Sequence, residues 1–253
     1  TTSERSCERT DMFRDACNKV RESVYGVIGL TILERRGDQH RVNVTNGTAF
    51  MVAPGYLVTA AHSVHVESKP TNPVHKSFEV IRAPDVGQKM EKVTFVAEDK
   101  DRDLALLKID SPRDTTSVSI SGDVIERGTS CGFLGFPLAS VQFMQNGARQ
   151  FNLFERFQGA YISNYLSQKD PKGRDLSLYE IDTLMYAGSS GCPAFTVDGK
   201  IVGMQVASAM QKNKDSGTVE RVAISLVVPS KDIIAFLKAQ DASINLEVTV
   251  VQL

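Results

Sequence analysis

Residues 188–193 read Gly-Ser-Ser-Gly-Cys-Pro, and the interpretation of the whole chain depends on this segment. Gly191 lets the chain turn sharply beside Ser190 without a side-chain clash. A serine hydroxyl is a weak nucleophile that needs a base within hydrogen-bonding distance. The segment therefore calls for a histidine and a carboxylate elsewhere in the chain.

Two earlier segments supply those residue types. Residues 59–62 read Thr-Ala-Ala-His, and residues 103–107 read Asp-Leu-Ala-Leu-Leu. His62 is suited to take the proton of Ser190 and to return it to a leaving amine. Asp103 is suited to fix the imidazole tautomer and to stabilise the imidazolium. We therefore predict a catalytic triad of His62, Asp103 and Ser190. The oxyanion of the intermediate needs backbone N–H donors, and these are predicted to come from Gly188 and Ser190.

Most of the chain after residue 22 consists of short segments rich in β-forming residues and separated by turn residues, with Pro54-Gly55 as a hairpin turn. This pattern predicts barrels or a sandwich. The predicted strands are 24–33, 48–52, 56–59, 77–82, 92–98, 104–109, 130–135, 159–165, 194–197, 200–207 and 222–228.

Two helices are predicted outside this β region. A short one lies within residues 1–21, where apolar residues recur at roughly helical intervals. A second one follows Ser230, a good N-cap, with Ile233, Ile234, Phe236 and Leu237 on its apolar face. The tail, residues 244–253, alternates partly and is suited to add a strand or to contact a neighbouring molecule. The polar segment 140–157 is predicted to be a mobile element.

Taken together, the motifs resemble the HtrA/Deg branch of the trypsin-like peptidases over roughly residues 20–240. The resemblance rests on residues 47–50, 56–62, 103–107, 135–138, 159–163, 188–193, 199–203 and 223–230. It implies an all-β, chymotrypsin-like fold of two packed six-stranded β-barrels, with the active site between them. His62 and Asp103 would come from the first barrel and Ser190 from the second.

The resemblance also implies domain boundaries. Residues 1–21 would be an N-terminal helical segment, and residues 22–240 a protease domain divided near residue 120. Residues 241–253 would be a C-terminal tail. No PDZ module is expected from this chain, and the resemblance leaves open whether copies associate through residues 1–21.

The implied function is a serine endopeptidase that cleaves polypeptides, including unfolded ones, through an acyl-enzyme and without a cofactor or metal. The primary pocket would be lined by uncharged residues, which are Leu184, Val206, Ala207, Ser208 and Ala223. A Lys or Arg side chain would have no counter-ion there, and burying an unpaired charge is costly. Cleavage is therefore expected after small or medium aliphatic residues.

The chain departs from the family pattern at three positions. Ser189 stands where the family usually has Asn, Cys192 where it has Gly or Ser, and Val206 where a Ser or Thr often supports the aspartate. Digestive relatives have an aspartate at the position of Ser189, which pairs with a freed N-terminus. Here the oxyanion turn must be ordered otherwise: by its own hydrogen bonds, by the loops of residues 135–150, by a neighbouring subunit or by substrate.

Two other functions remain open. A protein of this fold can bind polypeptides without cutting them. A glutamyl endopeptidase would carry a His where this chain has Gln205. Cys192 is expected to pack behind the turn as a small apolar residue. Asp99 and Asp101 are expected to form a solvated acidic turn rather than a calcium loop.

Composition excludes further classes. The net charge of −1 gives no sign of a nucleic-acid or anionic-membrane partner. The apolar runs are too short to span a bilayer. The four cysteines show no metal-ligand spacing, which favours reduced thiols and a reducing compartment, although a disulfide between Cys7 and Cys17 stays open.

Overall fold

A computed structural model of the protein describes residues 5–36, 39–64, 75–87, 89–143, 149–169, 173–213, 217–240 and 244–249. The helices are α1 (Arg5–Arg21), α2 (Ala61–Val64) and α3 (Ser230–Gln240). The strands of the first half are β1 (Val24–Arg36), β2 (Gln39–Ala53), β3 (Tyr56–Ala60), β4 (His75–Arg82), β5 (Glu91–Asp99) and β6 (Leu104–Lys108). Those of the second half are β7 (Ile120–Ser121), β8 (Ser130–Gly135), β9 (Ser140–Phe143), β10 (Arg149–Asn152), β11 (Arg156–Lys169), β12 (Asp175–Ile181), β13 (Pro193–Phe195), β14 (Ile201–Lys212), β15 (Val219–Pro229) and β16 (Val248–Thr249).

The first six strands form a closed barrel in the order β1-β2-β3-β6-β5-β4. Alternate residues along each strand point to opposite faces of a sheet. In β3 and β6, Leu57 and Leu107 belong to the barrel's own buried cluster. Their neighbours Val58 and Leu106 belong to a second buried cluster that also contains Met204. Strands β3 and β6 are therefore apolar on both faces, since residues of the second half cover the face that Val58 and Leu106 share.

The second half forms a sheet in the order β13-β8-β11-β12-β15-β14, to which β7 and β16 are added. The additional pairing of β13 with β14 closes the first six of these strands into a ring. The predicted all-β, chymotrypsin-like fold with an N-terminal and a C-terminal helix is therefore confirmed. The predicted addition of a strand by the tail is confirmed by β16, which pairs with β7 in parallel.

Helix α1 packs against the second half of the chain through an aromatic cluster. The ring of Phe13 lies 5.7 Å from that of Phe157 and 6.3 Å from that of Phe195. Arg21, at the end of the helix, pairs with Glu155 at 2.7 Å. The described part of the chain contains no helix that is both long enough and apolar enough to cross a bilayer.

The structure departs from the sequence predictions at three places. The polar segment 140–157 includes strands β9, β10 and the start of β11, while residues 144–148 lie outside the described residues and the mobility of the segment stays a prediction. Strand β12 was not predicted: one of its buried positions is the polar Ser177, and its apolar Leu176 and Leu178 lie on the other, partly exposed face. Ser230 begins α3, and the apolar face of the helix is buried as predicted. The Ser230 hydroxyl has no partner among the described residues, so it does not act as the expected cap.

Candidate active site

His62 lies where strand β3 runs into helix α2. Ala61, Ser63 and Val64 are buried, whereas the His62 side chain is 52% exposed. The backbone N–H of Ala61 donates to the carbonyl oxygen of Asp103 at 3.0 Å. The buried neighbours fix the short helix, and the imidazole is left accessible to solvent.

Asp103 holds His62 with both of its carboxylate oxygens. Oδ2 lies 2.6 Å from His62 Nδ1, and Oδ1 accepts the His62 backbone N–H at 2.9 Å. Asp103 adopts a left-handed conformation with φ 56°, which Asp tolerates better than most residues. The pair is therefore fixed in both distance and orientation, with Nδ1 facing the carboxylate.

The turn that precedes Asp103 is held by an ion-pair cluster around Asp99. Asp99 Oδ1 accepts the backbone N–H groups of Asp101 and Arg102, and Oδ2 lies 2.9 Å from Arg102 Nη1. Arg102 Nη2 also donates to the carbonyl oxygen of Asp175 in β12 at 2.7 Å. Arg174 binds both Asp99 and Asp101. The expectation of a solvated acidic turn is therefore wrong for Asp99, whose side chain is only 13% exposed and lies between two arginines, whereas Asp101 is 40% exposed.

Those arginines determine the charge state of Asp99. Burial alone would raise the pKa of this carboxyl. The hydrogen bonds from Arg102, together with the charges of Arg102 and Arg174, outweigh burial and hold the pKa below its ordinary value. The turn before Asp103 is thus stabilised by a carboxylate that stays ionised.

Ser190 lies in a segment built from two successive reverse turns. The Ser189 N–H donates to the Tyr186 carbonyl at 3.0 Å, and the Cys192 N–H donates to the Ser189 carbonyl at 2.9 Å. Gly188 and Gly191, each third in its turn, have φ of 92° and 89°. Positive φ at the third residue is the mark of a type II turn and explains the spacing of the two glycines.

The turn segment is fastened to the first barrel through Thr48. Its hydroxyl donates to the Gly188 carbonyl at 2.9 Å and accepts the Phe136 N–H at 3.0 Å. Its own N–H donates to the Ser190 carbonyl at 2.8 Å. Thr59, three residues before His62, donates its hydroxyl to the Thr48 carbonyl at 2.7 Å. The half-buried Ser190 and the exposed His62 are thereby linked through β2 and β3.

Two backbone donors of the segment are left without an acceptor in the part of the chain that the structure describes. Neither the N–H of Gly188 nor that of Ser190 donates to any group among the described residues. The intervening Ser189 N–H is used inside the turn, so these two alternate along the chain. Such an arrangement suits a bound oxyanion.

The five predicted pocket residues fall on three neighbouring segments. Leu184 is half-buried, and its carbonyl accepts Gln158 Nε2 at 3.1 Å. Ala207 and Ala223 are exposed, on the paired strands β14 and β15. Val206, in contrast, lies in a β-bulge and is buried in the cluster between the two halves.

Hydroxyl groups join those three segments. Ser208 Oγ donates to the Met185 carbonyl at 3.1 Å and lies 3.3 Å from Ser225 Oγ. Ser225 Oγ donates to the Thr183 carbonyl at 2.9 Å. The wall next to the turn is therefore fixed by neutral hydrogen bonds.

A cavity of about 190 Å³ lies behind the turn, lined in part by Ser189, Cys192 and Phe157. Burial raises the pKa of the Cys192 thiol to about 12, so this thiol stays protonated. Cys192 packs as the small apolar residue that we expected. Cys17, Cys131 and Cys192 are free thiols, so the structure does not realise the alternative in which Cys17 forms a disulfide.

The model of the trypsin-like peptidase domain matches residues 47–204, which is more than half of the chain. The chain belongs to the trypsin-like peptidases. The substrates of this family are polypeptides. No curated protein sequence matches it.

Solved structures show the same fold as this peptidase. The active form of Rv3671c protease from M. tuberculosis aligns with a TM-score of 0.61 at 19% identity, over 95% of this chain and 88% of that chain. Its inactive form gives 0.59 at 18% identity, over 90% of this chain and 94% of that chain. An inactive form of a serine-to-alanine mutant of Rv3671c from M. tuberculosis H37Rv gives 0.60 at 17% identity, over 91% and 92%.

Two supporting groups of the peptidase were missed from sequence. Thr48 belongs to the quoted segment 47–50, but no pattern tells that its hydroxyl reaches a carbonyl 140 positions away. The cluster of Asp99, Arg102 and Arg174 carried one usable signal, the two acidic residues shortly before Asp103. Their arginine partners could not be assigned without the fold.

Proposed function

We propose that this peptidase is a serine endopeptidase in which Ser190 attacks the carbonyl carbon of a peptide bond. The proposal rests on the contacts of Asp103 with His62: one carboxylate oxygen lies 2.6 Å from Nδ1 of His62, and the other accepts its backbone N–H at 2.9 Å. Because Nδ1 faces the carboxylate, Nε2 is the ring nitrogen left to act as a base. A binding protein has no need of an imidazole held in this way.

The proposed reaction proceeds in two halves. In the first, the Ser190 proton passes to His62 Nε2 as the Ser190 oxygen bonds to the carbonyl carbon. The N–H groups of Gly188 and Ser190 receive the oxyanion, and the imidazolium protonates the departing amine to leave an acyl-enzyme. In the second half, His62 takes a proton from water, the resulting hydroxide attacks the ester, and the proton returns to Ser190.

Specificity is proposed to favour Val, Ala or Leu before the scissile bond. Leu184, Ala207, Ser208 and Ala223 carry no charge, and the Ser208 hydroxyl is already engaged with the Met185 carbonyl. A charged substrate side chain would therefore enter without a partner, which is unfavourable. Profiling with a peptide library checks this, and a dominant preference for Arg, Lys or Glu would refute it.

The decisive experiment uses a serine-directed fluorophosphonate and unfolded casein on matched variants. Wild type should be labelled at Ser190 and should cleave casein. Ser189→Ala removes the adjacent serine hydroxyl and should keep both properties, whereas Ser190→Ala should lose both. Labelling of the Ser190→Ala variant by the fluorophosphonate would contradict the assignment of Ser190 as the nucleophile.

The other members of the triad are tested in the same assay. His62→Ala and Asp103→Asn should each lower kcat by about a thousandfold or more, with thermal unfolding near wild type. Near-normal turnover of either variant would remove that residue from the mechanism. Absence of both labelling and cleavage in wild type would instead favour a binding protein.

Acidic specificity has less support than aliphatic specificity. Gln205, which stands where glutamyl endopeptidases carry a His, is 2% exposed. Its Nε2 donates to the Ala207 carbonyl of its own strand at 3.1 Å. It is therefore poorly placed to receive a substrate carboxylate.

A further inference from the structure

Leu138 has a backbone conformation that its residue type disfavours. Its φ is 60°, in the left-handed region, and it is one of two non-glycine residues with positive φ in the described part of the chain, the other being Asp103. Leu138 follows Pro137 in the turn between β8 and β9, and its side chain is 57% exposed. A left-handed leucine is strained, and burial of its side chain offers little in return.

The segment around Leu138 is anchored on both sides to strand β2. The Phe136 N–H donates to Thr48 Oγ1 at 3.0 Å, and Asn46 Nδ2 donates to the Ala139 carbonyl. Between these anchors, the Leu138 N–H donates to the Ala187 carbonyl at 2.6 Å. The strained Leu138 therefore directs its own N–H group at the Ala187 carbonyl, which lies in the first of the two turns around Ser190.

That carbonyl belongs to the peptide whose other end is a predicted oxyanion donor. The Ala187 C=O and the Gly188 N–H share one planar unit, in which they point in opposite directions. This unit is also the central peptide of the first type II turn, with Gly188 at φ 92°. Rotation of the central peptide converts a type II turn into a type I turn and reverses both groups. The donor would then be lost from its side of the turn.

We propose that Leu138 is the positioning residue for the oxyanion donor Gly188, an inference that rests on the proposed serine endopeptidase function. Its N–H holds the Ala187 carbonyl, which fixes the Ala187–Gly188 peptide with the Gly188 N–H directed away from the loop. Because position 189 holds a neutral serine, no ion pair at that position performs this task. The left-handed φ of Leu138 aims the N–H, and the anchors at Phe136 and Ala139 maintain that φ.

The second turn supports this interpretation, since its central carbonyl is tethered in the same way. The Ser190 carbonyl accepts the Thr48 N–H at 2.8 Å, and the following Gly191 N–H donates to the Gln205 carbonyl. In the first turn the carbonyl is likewise held, but the following Gly188 N–H has no acceptor among the described residues. The two turns thus share one construction and differ in the donor that is left for a ligand.

The test compares two substitutions at the same exposed position. Leu138→Asn keeps the N–H and tolerates left-handed φ, whereas Leu138→Pro removes the N–H and requires φ near −65°. Kinetics are measured with a fluorogenic peptide that carries Val before the scissile bond. The affinity for a peptide boronic acid, whose tetrahedral adduct on Ser190 needs the oxyanion donors, is measured in parallel. Thermal unfolding reports on folding.

We expect Leu138→Asn to keep kcat within about threefold of wild type, because the donor geometry that sets the barrier is unchanged. Leu138→Pro should lower kcat by at least about tenfold, and by no more than the about 100- to 1,000-fold cost of deleting an oxyanion donor. Boronic acid affinity should fall in parallel. KM should stay within about twofold, and the pH midpoint should not move, because the His62–Asp103 pair is untouched.

A Leu138→Pro variant with wild-type kcat would overturn the proposal. Equal losses in both variants would overturn it as well, because they would assign the effect to the leucine side chain. A loss confined to KM would do the same. Failure of the proposed function has a different signature, since wild type itself would then neither cleave the peptide nor react with the fluorophosphonate.

Discussion

The two halves of the candidate site are held in place by different kinds of interaction. On the first barrel, the turn before Asp103 is held by ion pairs of Asp99 with Arg102 and Arg174, so charged side chains provide most of its support. On the second, Ser190 lies in two turns fixed by backbone hydrogen bonds and by the hydroxyl of Thr48. The stability of the first half should therefore depend on pH and salt. The stability of the second should depend on substitutions that crowd its backbone.

This difference matches the roles that we propose for the two halves. In the proposed mechanism the first half holds Asp103 against His62, and the turn before Asp103 is fixed by Asp99, whose pKa burial would raise but whose arginine partners lower it. The second half would present the N–H groups of Gly188 and Ser190 at fixed positions, and a hydrogen bond to the same peptide orients such a group more directly than a side-chain charge does. Four substitutions would break or sharpen the contrast.

Gly191→Ala is expected to have the largest effect. A Cβ at this position would overlap the Thr48 carbonyl and lie 2.7 Å from Thr59 Oγ1, at φ 89°. Left-handed strain and overpacking together should destabilise the protein by about 3 kcal/mol or more and abolish cleavage. Urea unfolding and casein cleavage measure the two effects.

The matched control is Gly128→Ala. Gly128 has φ 86°, but nothing lies within 4 Å of its added Cβ. It should lose only about 1 kcal/mol from backbone strain and keep its activity. Equal losses of stability in the two variants would show that the left-handed conformation alone accounts for the loss at Gly191, without a contribution from packing against Thr48.

Thr48→Val comes next. It deprives the buried Gly188 carbonyl of its donor and the Phe136 N–H of its acceptor. We expect a loss of about 2 kcal/mol together with lower kcat, because unpaired buried polar groups cost about 1–3 kcal/mol each. Thr59→Val removes a single hydrogen bond to the Thr48 carbonyl and should cost about half as much. A Thr59→Val variant less active than Thr48→Val would contradict the role of Thr48 as the main link.

The extent to which sequence anticipated these contacts differs between the halves. His62, Asp103, Ser190 and the two glycines could be singled out because each lies in a short local pattern with its own chemical meaning. Apolar segments separated by turn residues indicated barrels or a sandwich, and the resemblance to the HtrA/Deg peptidases implied the two-barrel fold. The motif and pattern predictions required only neighbours within a few positions along the chain.

The supporting contacts could not be predicted, because they join residues far apart in sequence. Arg102 reaches the Asp175 carbonyl across 73 positions, and nothing in a polar surface pattern identifies that partner. The left-handed φ of Leu138 follows no rule of residue preference, since Gly or Asn is the usual choice after Pro137 in a type II turn. The strands of segment 140–157 were missed because β9 and β10 are only four residues long and pair with each other in a separate two-stranded sheet.

Asp99→Asn tests the electrostatic half. A lowered folded-state pKa contributes stability above the unfolded value of about 3.9, and this contribution is lost as pH falls through the folded value. The variant should therefore be about 1 kcal/mol less stable than wild type at pH 7 and should match it in strong acid. Asp101→Asn serves as control, since the Asp101 side chain is 40% exposed and should matter less. Unfolding curves that stay equally separated from pH 2.5 to 7 would contradict the ion-pair account.

The smallest expected effect has the opposite sign and comes from Asp232 in helix α3. Burial raises the pKa of this carboxyl, and the charges of Arg102 and Lys231 offset the rise only in part. Its Oδ2 has no hydrogen-bond partner among the described residues, and Oδ1 lies 4.0 Å from Arg102 Nε. The folded state therefore binds a proton more tightly than the unfolded state, and wild-type stability falls as pH rises from about 3.9 through the folded value. Asp232→Asn stays neutral, so it should be more stable than wild type at pH 7, by less than about 1 kcal/mol, and should match it near pH 3.

Asp198→Asn is the control of opposite sign. Burial alone would raise the pKa of Asp198, but hydrogen bonds from Thr196 and Lys200 lower it, so this variant should lose stability at pH 7. Thermal unfolding across this pH range measures both. An Asp232→Asn variant less stable than wild type at pH 7 would show that the partial pairing with Arg102 outweighs burial, which would extend the electrostatic support of Asp103 into the second half of the chain.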